Sequence, residues 1–512
     1  MKYLFNILFL LSLSVSIQAK IYNIKELGAD PTGKKTCTEI INKAIEKAAS
    51  EGGGTIFFPA GQYLTAAIKL QSNITIDLES GCIIRFSDRF EDYLPFVQVR
   101  WEGTVMQSFC PLFYAHDAEN ITIKGRGTID GQGAKWWAED KRLNKIIKEN
   151  GGKNKELNEL QKQWDAANVG LEVSTYYENS LMRKFFRPPF IQFFQCNNIL
   201  IEGIKIINSP FWTVNPVFCD NLTIHGVTIN NPESPNTDGI NPSSCSNVHI
   251  SDCHISVGDD CITIKSGRDA DGRKWAKPCE NITITNCTML SGHGGVVIGS
   301  EMSGGVKKIT ISNCVFNGTD NGIRLKASRG RGGVVEEIRV NNIIMNDIKR
   351  EAFIFDLFYD KQSQPEPVSE RTPVFRNIHI SNITGNNVNR VGYITGIEEM
   401  PVEEISFSNI NITAKEGFKA KTASHIRFYN VDFATQKGPS FSFTDCDHII
   451  LDNVRSKKPV SNQPIIELAN TKNIFINNCY QMVPADIFYK STDSEVIWGN
   501  NFMNNVKTPT LP

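Results

Sequence analysis

The sequence predicts an all-β fold, a parallel β-solenoid closed at its N-terminal end by one helix. Three observations carry this. A short strand motif recurs along the chain: a polar residue, Ile or Val, any residue, Ile or Val, then Asn or Gly shortly after. Copies return at intervals mostly in the twenties, with no helical pattern in between. Within each copy apolar and polar residues alternate, so one face is buried. A coil of this kind cannot bury its apolar face alone, and stacking coils creates the core. A β-propeller would need longer repeats with aromatic blade motifs, which are absent.

Taken in chain order, Met1-Lys2-Tyr3 precedes an apolar run from Leu4 to about Ile17, followed by Gln18-Ala19-Lys20. The run is broken by Asn6 and several Ser, and it is shorter than the ~20 residues of a membrane-spanning helix. It reads as a cleaved export signal (residues 1–19), with cleavage near Ala19. Residues 20–512 are then expected to form a single catalytic solenoid. From Thr36 to Ser50, apolar or small residues at Ile40, Ile41, Ala44, Ile45, Ala48 and Ala49 mark an amphipathic helix, ended by Glu51-Gly52-Gly53-Gly54. Such a helix suits a cap over the open first coil. Thr55-Ile56-Phe57-Phe58 reads as a buried strand.

The repeats begin with Asn73-Ile74-Thr75-Ile76 and Asn120-Ile121-Thr122-Ile123. From Asn198 onward, copies start at residues 198, 221, 247, 281, 308, 337, 377, 404, 425, 448 and 473. Asn after each strand fits a left-handed turn, and stacked Asn side chains can bond one another. Two stretches break the period. Residues 133–190 are polar and partly helical in pattern, and carry Trp136, Trp137, Trp164, Tyr176 and Tyr177. These aromatics could stack on a sugar ring or pin the excursion to the solenoid. Residues 360–373 read as a second loop.

The formal charge of −1 argues against binding nucleic acid or another polyanion through net charge. Of 13 cysteines at least one cannot pair within the chain. Cys253, Cys287, Cys314 and Cys479 occupy one register of the repeat, which reads as a stack of small apolar thiols rather than disulfides or a metal site. No Cys-x-x-Cys motif or His/Cys cluster supports zinc.

Four polar clusters carry the chemistry: Asn236-Thr237-Asp238, Gly258-Asp259-Asp260, Gly292-His293-Gly294 and Arg324-Leu325-Lys326. Asp238 and Asp260 are 22 residues apart, Asp260 and His293 33, and His293 and Lys326 33. If each interval is about one coil, three carboxylates, an imidazole and two cations share one face. Glycosidic hydrolysis needs one protonated carboxyl and one carboxylate, and crowding raises the proton affinity of one member. Asp259 and Asp260 can share a pocket only if the backbone turns, which Gly258 permits. Alone, the Asp pair would be a solvated turn and His293 a turn residue. Arg324 and Lys326, two apart on a strand, form a clamp for an anionic substrate.

On these four motifs the chain resembles glycoside hydrolase family 28, the polygalacturonase family. Ser209-Pro210-Phe211-Trp212, the segment from Asp260 to Gly267, and Val297-Ile298-Gly299-Ser300-Glu301 resemble its bacterial members. The resemblance implies a right-handed parallel β-helix and inverting hydrolysis of α-1,4-linked galacturonic acid. It implies Asp259 as general acid, Asp238 and Asp260 as the carboxylates that activate water, and His293 as tuner of the acid. Arg324 and Lys326 would bind the sugar carboxylate. The family also uses a Tyr downstream, and Tyr359 lies 33 residues past Lys326 without a context that fixes the match. Rhamnogalacturonan hydrolases depart from Gly-Asp-Asp, which this chain keeps. An inverting site needs its acid and base ~6.5–9.5 Å apart, compatible with one or two coil steps of ~4.8 Å. A pectic polysaccharide is the expected partner, with no cofactor or catalytic metal, no nucleic acid, no membrane insertion, and a monomer as the expected state. Rival readings are a rhamnogalacturonan or xylogalacturonan hydrolase, a calcium-dependent pectate lyase using the three Asp as ligands, and a non-catalytic glycan-binding solenoid.

Overall fold

A computed structural model describes residues 20–151, 154, 156–171, 182–359 and 364–511. The expected export signal, Tyr176 and Tyr177 of the excursion, and residues 360–363 of the second loop lie outside them. Among the named strands of the described residues every pairing is parallel except one hairpin, Val97–Trp101 with Thr104–Ser108. The chain is a parallel β-helix, and each central coil contributes a strand to three sheets.

The recurring motif builds the first sheet. Asn197–Glu202, Asp220–His225, Ser246–Ser251, Cys279–Thr285 and Val306–Asn317 stack in order. Ile199, Leu222, Val248, Ile282 and Ile309 fall in one column of that stack. The column continues through Ile338, Ile378, Ile405, Ile426, Ile449 and Ile474. All are buried. A one-residue slip would turn this whole column outward, so burial pins the register. Short strands such as Lys205–Ile207, Thr228–Asn231 and His254–Val257 form the second sheet. The third contains Asp260–Ile264, Gly294–Gly299, Ile323–Lys326 and Glu351–Asp356.

Left-handed backbone marks both ends of the motif. The Asn after the strand takes it, as at Asn286 (φ 56°) and Asn313 (φ 54°). The first residue of each copy takes it too, from Asn73 (φ 64°) to Asn473 (φ 50°), including Lys308, Glu337 and His425. Asn tolerates this conformation because its short amide bonds locally. The amides also bond between coils: Asn120 to Asn73 at 2.7 Å, Asn198 to Asn120 at 2.6 Å and Asn342 to Asn313 at 2.8 Å.

Helix α1 spans Thr38–Ser50 and buries Ile41, Ala44, Ile45 and Ala48 over the first coils. It starts two residues later than the periodicity suggests, because Thr32–Thr36 pairs as a strand with Gly61–Thr65. Gly52 (φ 98°) and Gly53 (φ 126°) end it, and a Cβ on Gly53 would lie 2.6 Å from the Asn73 carbonyl oxygen. All thirteen cysteines are buried free thiols. One contiguous core runs from Tyr22 to Phe488.

The excursion contains α2 (Ala134–Glu149) and α3 (Glu159–Ala167). Its tryptophans pin it to the solenoid. Trp136 is buried against Phe90, Tyr93, Phe109 and Phe185, Trp164 packs on Phe186, and Trp137 Nε1 donates to the Ser209 carbonyl at 3.0 Å. The hairpin at 97–108 is a further insertion that the repeat spacing did not reveal.

In the C-terminal coils Phe407 stacks on Phe428 at 4.8 Å and meets Phe418 edge-on at 5.1 Å. Phe407→Ala is expected to destabilise the fold by about 3–5 kcal/mol, read as a lower denaturation midpoint. A change under about 1 kcal/mol would contradict this packing.

Candidate active site

Register assembles the site on the third sheet. Ile240 bridges Ile262 across adjacent coils, which places Asp238 beside Asp260, two residues earlier on each. Asp260 pairs with Gly294 on the next coil, so His293 stands opposite Asp259. The turn that brings both Asp259 and Asp260 to one pocket depends on Gly258, where a Cβ would lie 2.0 Å from the Ser234 carbonyl oxygen. Gly292 is constrained in the same way, with its Cβ position 2.5 Å from the Asp259 carbonyl oxygen and φ 152°.

One oxygen from each of Asp238, Asp259 and Asp260 lies within 4.8 Å of the others. Asp238 and Asp260 are almost fully buried, whereas Asp259 keeps 18% of its side chain exposed. Lys326 Nζ donates to Asp260 Oδ2 at 2.7 Å, and Arg324 Nη1 stands 3.8 Å from Asp260 Oδ1. His293 Nδ1 lies 3.0 Å from Asp259 Oδ1, which also accepts the Asp260 amide at 3.0 Å. Asp238 Oδ2 accepts from Asn241 at 2.9 Å and from Thr263 at 3.4 Å. Two lysines face the three crowded carboxylates, since Lys265 Nζ also lies 3.8 Å from Asp238.

The protonation states divide accordingly. Burial, reinforced by the Asp259 charge, pushes Asp238 well above the usual carboxylate range. Burial also acts upward on Asp259, but the His293 hydrogen bond and the Lys326 charge outweigh it and leave Asp259 below its ordinary value. The Asp259 hydrogen bond raises His293. Burial acts downward on Lys326, yet Asp260 holds it above the usual lysine value. The surroundings therefore favour a proton at Asp238 over one at Asp259, the most exposed member.

The structure brings all six expected residues together and corrects one reading of their spacing. Gly299 pairs with Lys326, so the coil there is 27 residues long. The 33-residue step from His293 overshoots it, and Lys326 reaches Asp260 through its long side chain. The nearest oxygens of the three carboxylates lie within 4.8 Å of one another, as side chains on adjacent rungs ~4.8 Å apart allow.

Three further residues join the site: Tyr359, whose local context left its match open, Arg187 and Lys265. The Tyr359 ring lies 5.4 Å from the Arg324 guanidinium and 5.2 Å from Lys326 Nζ, a cation–π arrangement that holds the clamp. Arg187, from the end of the excursion, donates to the carbonyls of Pro210 and Pro235 and to Asn236 Oδ1 at 2.7 Å. Burial lowers its guanidinium to about 10, against the pull of Asp140. Lys265 is the third. A lone basic residue gives no sequence signal, although Lys265 lies on the same strand run as Asp260.

The comparisons bear on this geometry. The model of "Glycosyl hydrolases family 28" matches residues 174–426, which contain every residue of the site. A probable polygalacturonase of Vitis vinifera is 30% identical over 410 residues, covering 78% of this chain and 75% of the relative. The chain belongs to glycosyl hydrolase family 28. The solved exopolygalacturonase of Thermotoga maritima superposes on the family member with a TM-score of 0.71 at 33% identity, covering 81% of this chain and 92% of that one. An endo-polygalacturonase of Pectobacterium carotovorum is 26% identical, covering 76% and 87%. The hydrolase thus shares the right-handed parallel β-helix of these enzymes. A second model, "Rhamnogalacturonase A/epimerase, pectate lyase-like", matches only residues 21–90, before the first site residue.

The Asp259–His293 pair has a defined pH signature. The stabilisation from a raised His293 is fully present below its ordinary 6.5 and is lost as pH rises through the raised value. That from a lowered Asp259 is present above 3.8 and is lost as pH falls through the lowered value. His293→Ala is therefore expected to lower Tm most between about pH 4 and 6.5 and to converge on the wild type at alkaline pH. A gap in Tm that does not vary with pH would contradict the pairing.

Proposed function

We propose that this hydrolase cleaves α-1,4-galacturonosidic bonds of polygalacturonate with inversion, Asp259 acting as acid and Asp238 and Asp260 activating water. The observation that carries the reading is a three-carboxylate cluster walled by Arg324 and Lys326, a cationic clamp suited to an anionic sugar. The family membership and the polygalacturonase relatives point to a pectic polysaccharide as substrate. Asp259 is the carboxyl that a leaving oxygen can reach, since the other two are buried.

Substrate binding prepares this acid. Lys326 is one of the groups that hold Asp259 anionic. A uronate carboxylate drawn to Arg324 and Lys326 neutralises that charge and raises the proton affinity of Asp259. The proton kept at Asp238 in the free site then moves to Asp259, and Asp238 becomes the anion that orients water. Carboxylates this close also fit a retaining reaction, whose pair stands ~5–5.5 Å apart. Proton NMR of the first product decides between them: inversion delivers the β-anomer, retention the α-anomer.

The excursion bears on where the polymer is cut. Arg187 fastens it to Asn236, next to Asp238, and a wall at that end of the groove favours attack at chain ends. Monomer from the first minutes of digestion supports this, whereas an initial ladder of oligomers means internal cleavage. We take residues 20–512 as one catalytic unit, exported after cleavage near Ala19. The apolar run before Ala19 supports export, and no helix among the described residues is long and apolar enough to cross a membrane.

Asp259→Asn is expected to lower reducing-end release from polygalacturonate by about 10²–10⁴-fold. Activity should survive EDTA, and no ultraviolet-absorbing unsaturated uronide should appear. Unsaturated product that vanishes with EDTA would replace hydrolysis by a calcium-dependent lyase reaction.

A further inference from the structure

Beneath the three carboxylates lies a charged layer that the roles above leave unused. Lys265 is buried, with 3% of its side chain exposed. Its ammonium donates to Glu301 Oε2 at 2.7 Å and to the Gly299 carbonyl at 3.2 Å, and stands 4.4 Å from the Trp212 ring centroid. Asp238 Oδ2 is 3.8 Å away. Glu301 is itself held on its other oxygen by Arg268 Nη2 at 2.6 Å and Ser300 Oγ at 3.2 Å. Glu102 stands 3.9 Å from Arg268 Nη1, and the Arg331 charge also acts on Glu301, so Glu301 is shared by three cations.

We propose that Lys265, held in place by Glu301, is a positioning residue for the hydrolysis: it lets Asp238 become an anion and fixes its Oδ2 for the attacking water. The inference rests on the role given to Asp238 above. Four charged groups face Asp238: Asp259, Asp260, Lys265 and Lys326. Burial first, and then the two acids, favour a proton on it. Both lysines offset them, Lys265 the more strongly at 3.8 Å, while Lys326 donates to Asp260 at 2.7 Å. The neutral contacts from Asn241 and Thr263 orient the same oxygen. A buried ion pair adds little stability over apolar side chains of the same volume. The geometry instead gives Lys265 a use, because an uncompensated Asp238 anion would face two like charges in a water-poor pocket.

The test is the pH profile of kcat/KM on polygalacturonate for the wild type, Lys265→Met and Lys265→Arg. Without the charge, the acid limb of Lys265→Met is expected to move to higher pH by about one unit or more. Activity then falls about tenfold at a pH on that limb and recovers at higher pH, with KM little changed. Lys265→Arg keeps the charge and leaves the limb near that of the wild type. An unmoved limb in Lys265→Met, or a loss uniform across pH, would overturn the proposal. Should circular dichroism show that Lys265→Met does not fold, Glu301→Gln replaces it. Removing the counter-charge strengthens the positive charge near Asp238, so the limb moves to lower pH, and a limb that stays or moves upward sinks the idea. A wild type that releases no reducing ends from polygalacturonate would overturn the functional reading and this inference with it, a result distinct from an active enzyme whose limb does not move.

Discussion

In-register stacking of successive coils is the constraint on which the rest of this structure depends. The first sheet keeps a single aliphatic column from Ile199 to Ile474 while coil length varies from 21 to 40 residues. Length differences are absorbed in loops, and the strands do not slip, because a shift of one residue would expose every residue of the column. Parallel pairing places each residue next to its counterpart one rung away. Groups distant in sequence therefore become neighbours at ~4.8 Å. The carboxylate cluster is one product of this rule, and the asparagine ladder is another.

The site is a set of charge layers in a mostly buried setting. Asp259 and His293 form the outer layer, where solvent reaches. Asp238 and Asp260 lie below, each facing its own lysine. Glu301 and Arg268 complete the base. Within this arrangement the proton is unevenly shared. Burial favours protonation of Asp238, and the His293 and Lys326 charges oppose it at Asp259. In the proposed reaction an anionic substrate shifts the proton from Asp238 to Asp259 by one short transfer inside the cluster. In that proposal Arg324, Lys326 and Tyr359 connect binding to acid strength as well as to affinity.

Much of this was legible in the sequence, for identifiable reasons. The apolar alternation, the positive-φ asparagines and the helix over residues 38–50 are local features, and local physics writes them into adjacent residues. Asp238, Asp259, Asp260, His293, Arg324 and Lys326 were legible because they sit in compact motifs flanked by glycines. Where coils vary in length, residue spacing no longer reports register. The 33 residues between His293 and Lys326 resemble a coil, yet the actual step is 27. Tyr359 had no context that fixed its match, Arg187 had no motif, and Lys265 was one residue of the Asp260–Gly267 segment; their contributions come from reach, long side chains that cross from one coil or insertion to another. The hairpin at 97–108 was hidden within a single long interval between repeats.

The sequence by itself determined the solenoid, its cap, the burial of its thiols and the six residues that the structure brings together, because each depends on periodicity or on side chains that adjoin glycine turns. Only the tertiary structure decided how close the three carboxylates come, which lysine serves which acid, and that the described tryptophans of the excursion pack inward. Those outcomes depend on register between coils and on burial. Neither is a property of any short segment, because a charge's environment is made by residues tens or hundreds of positions away.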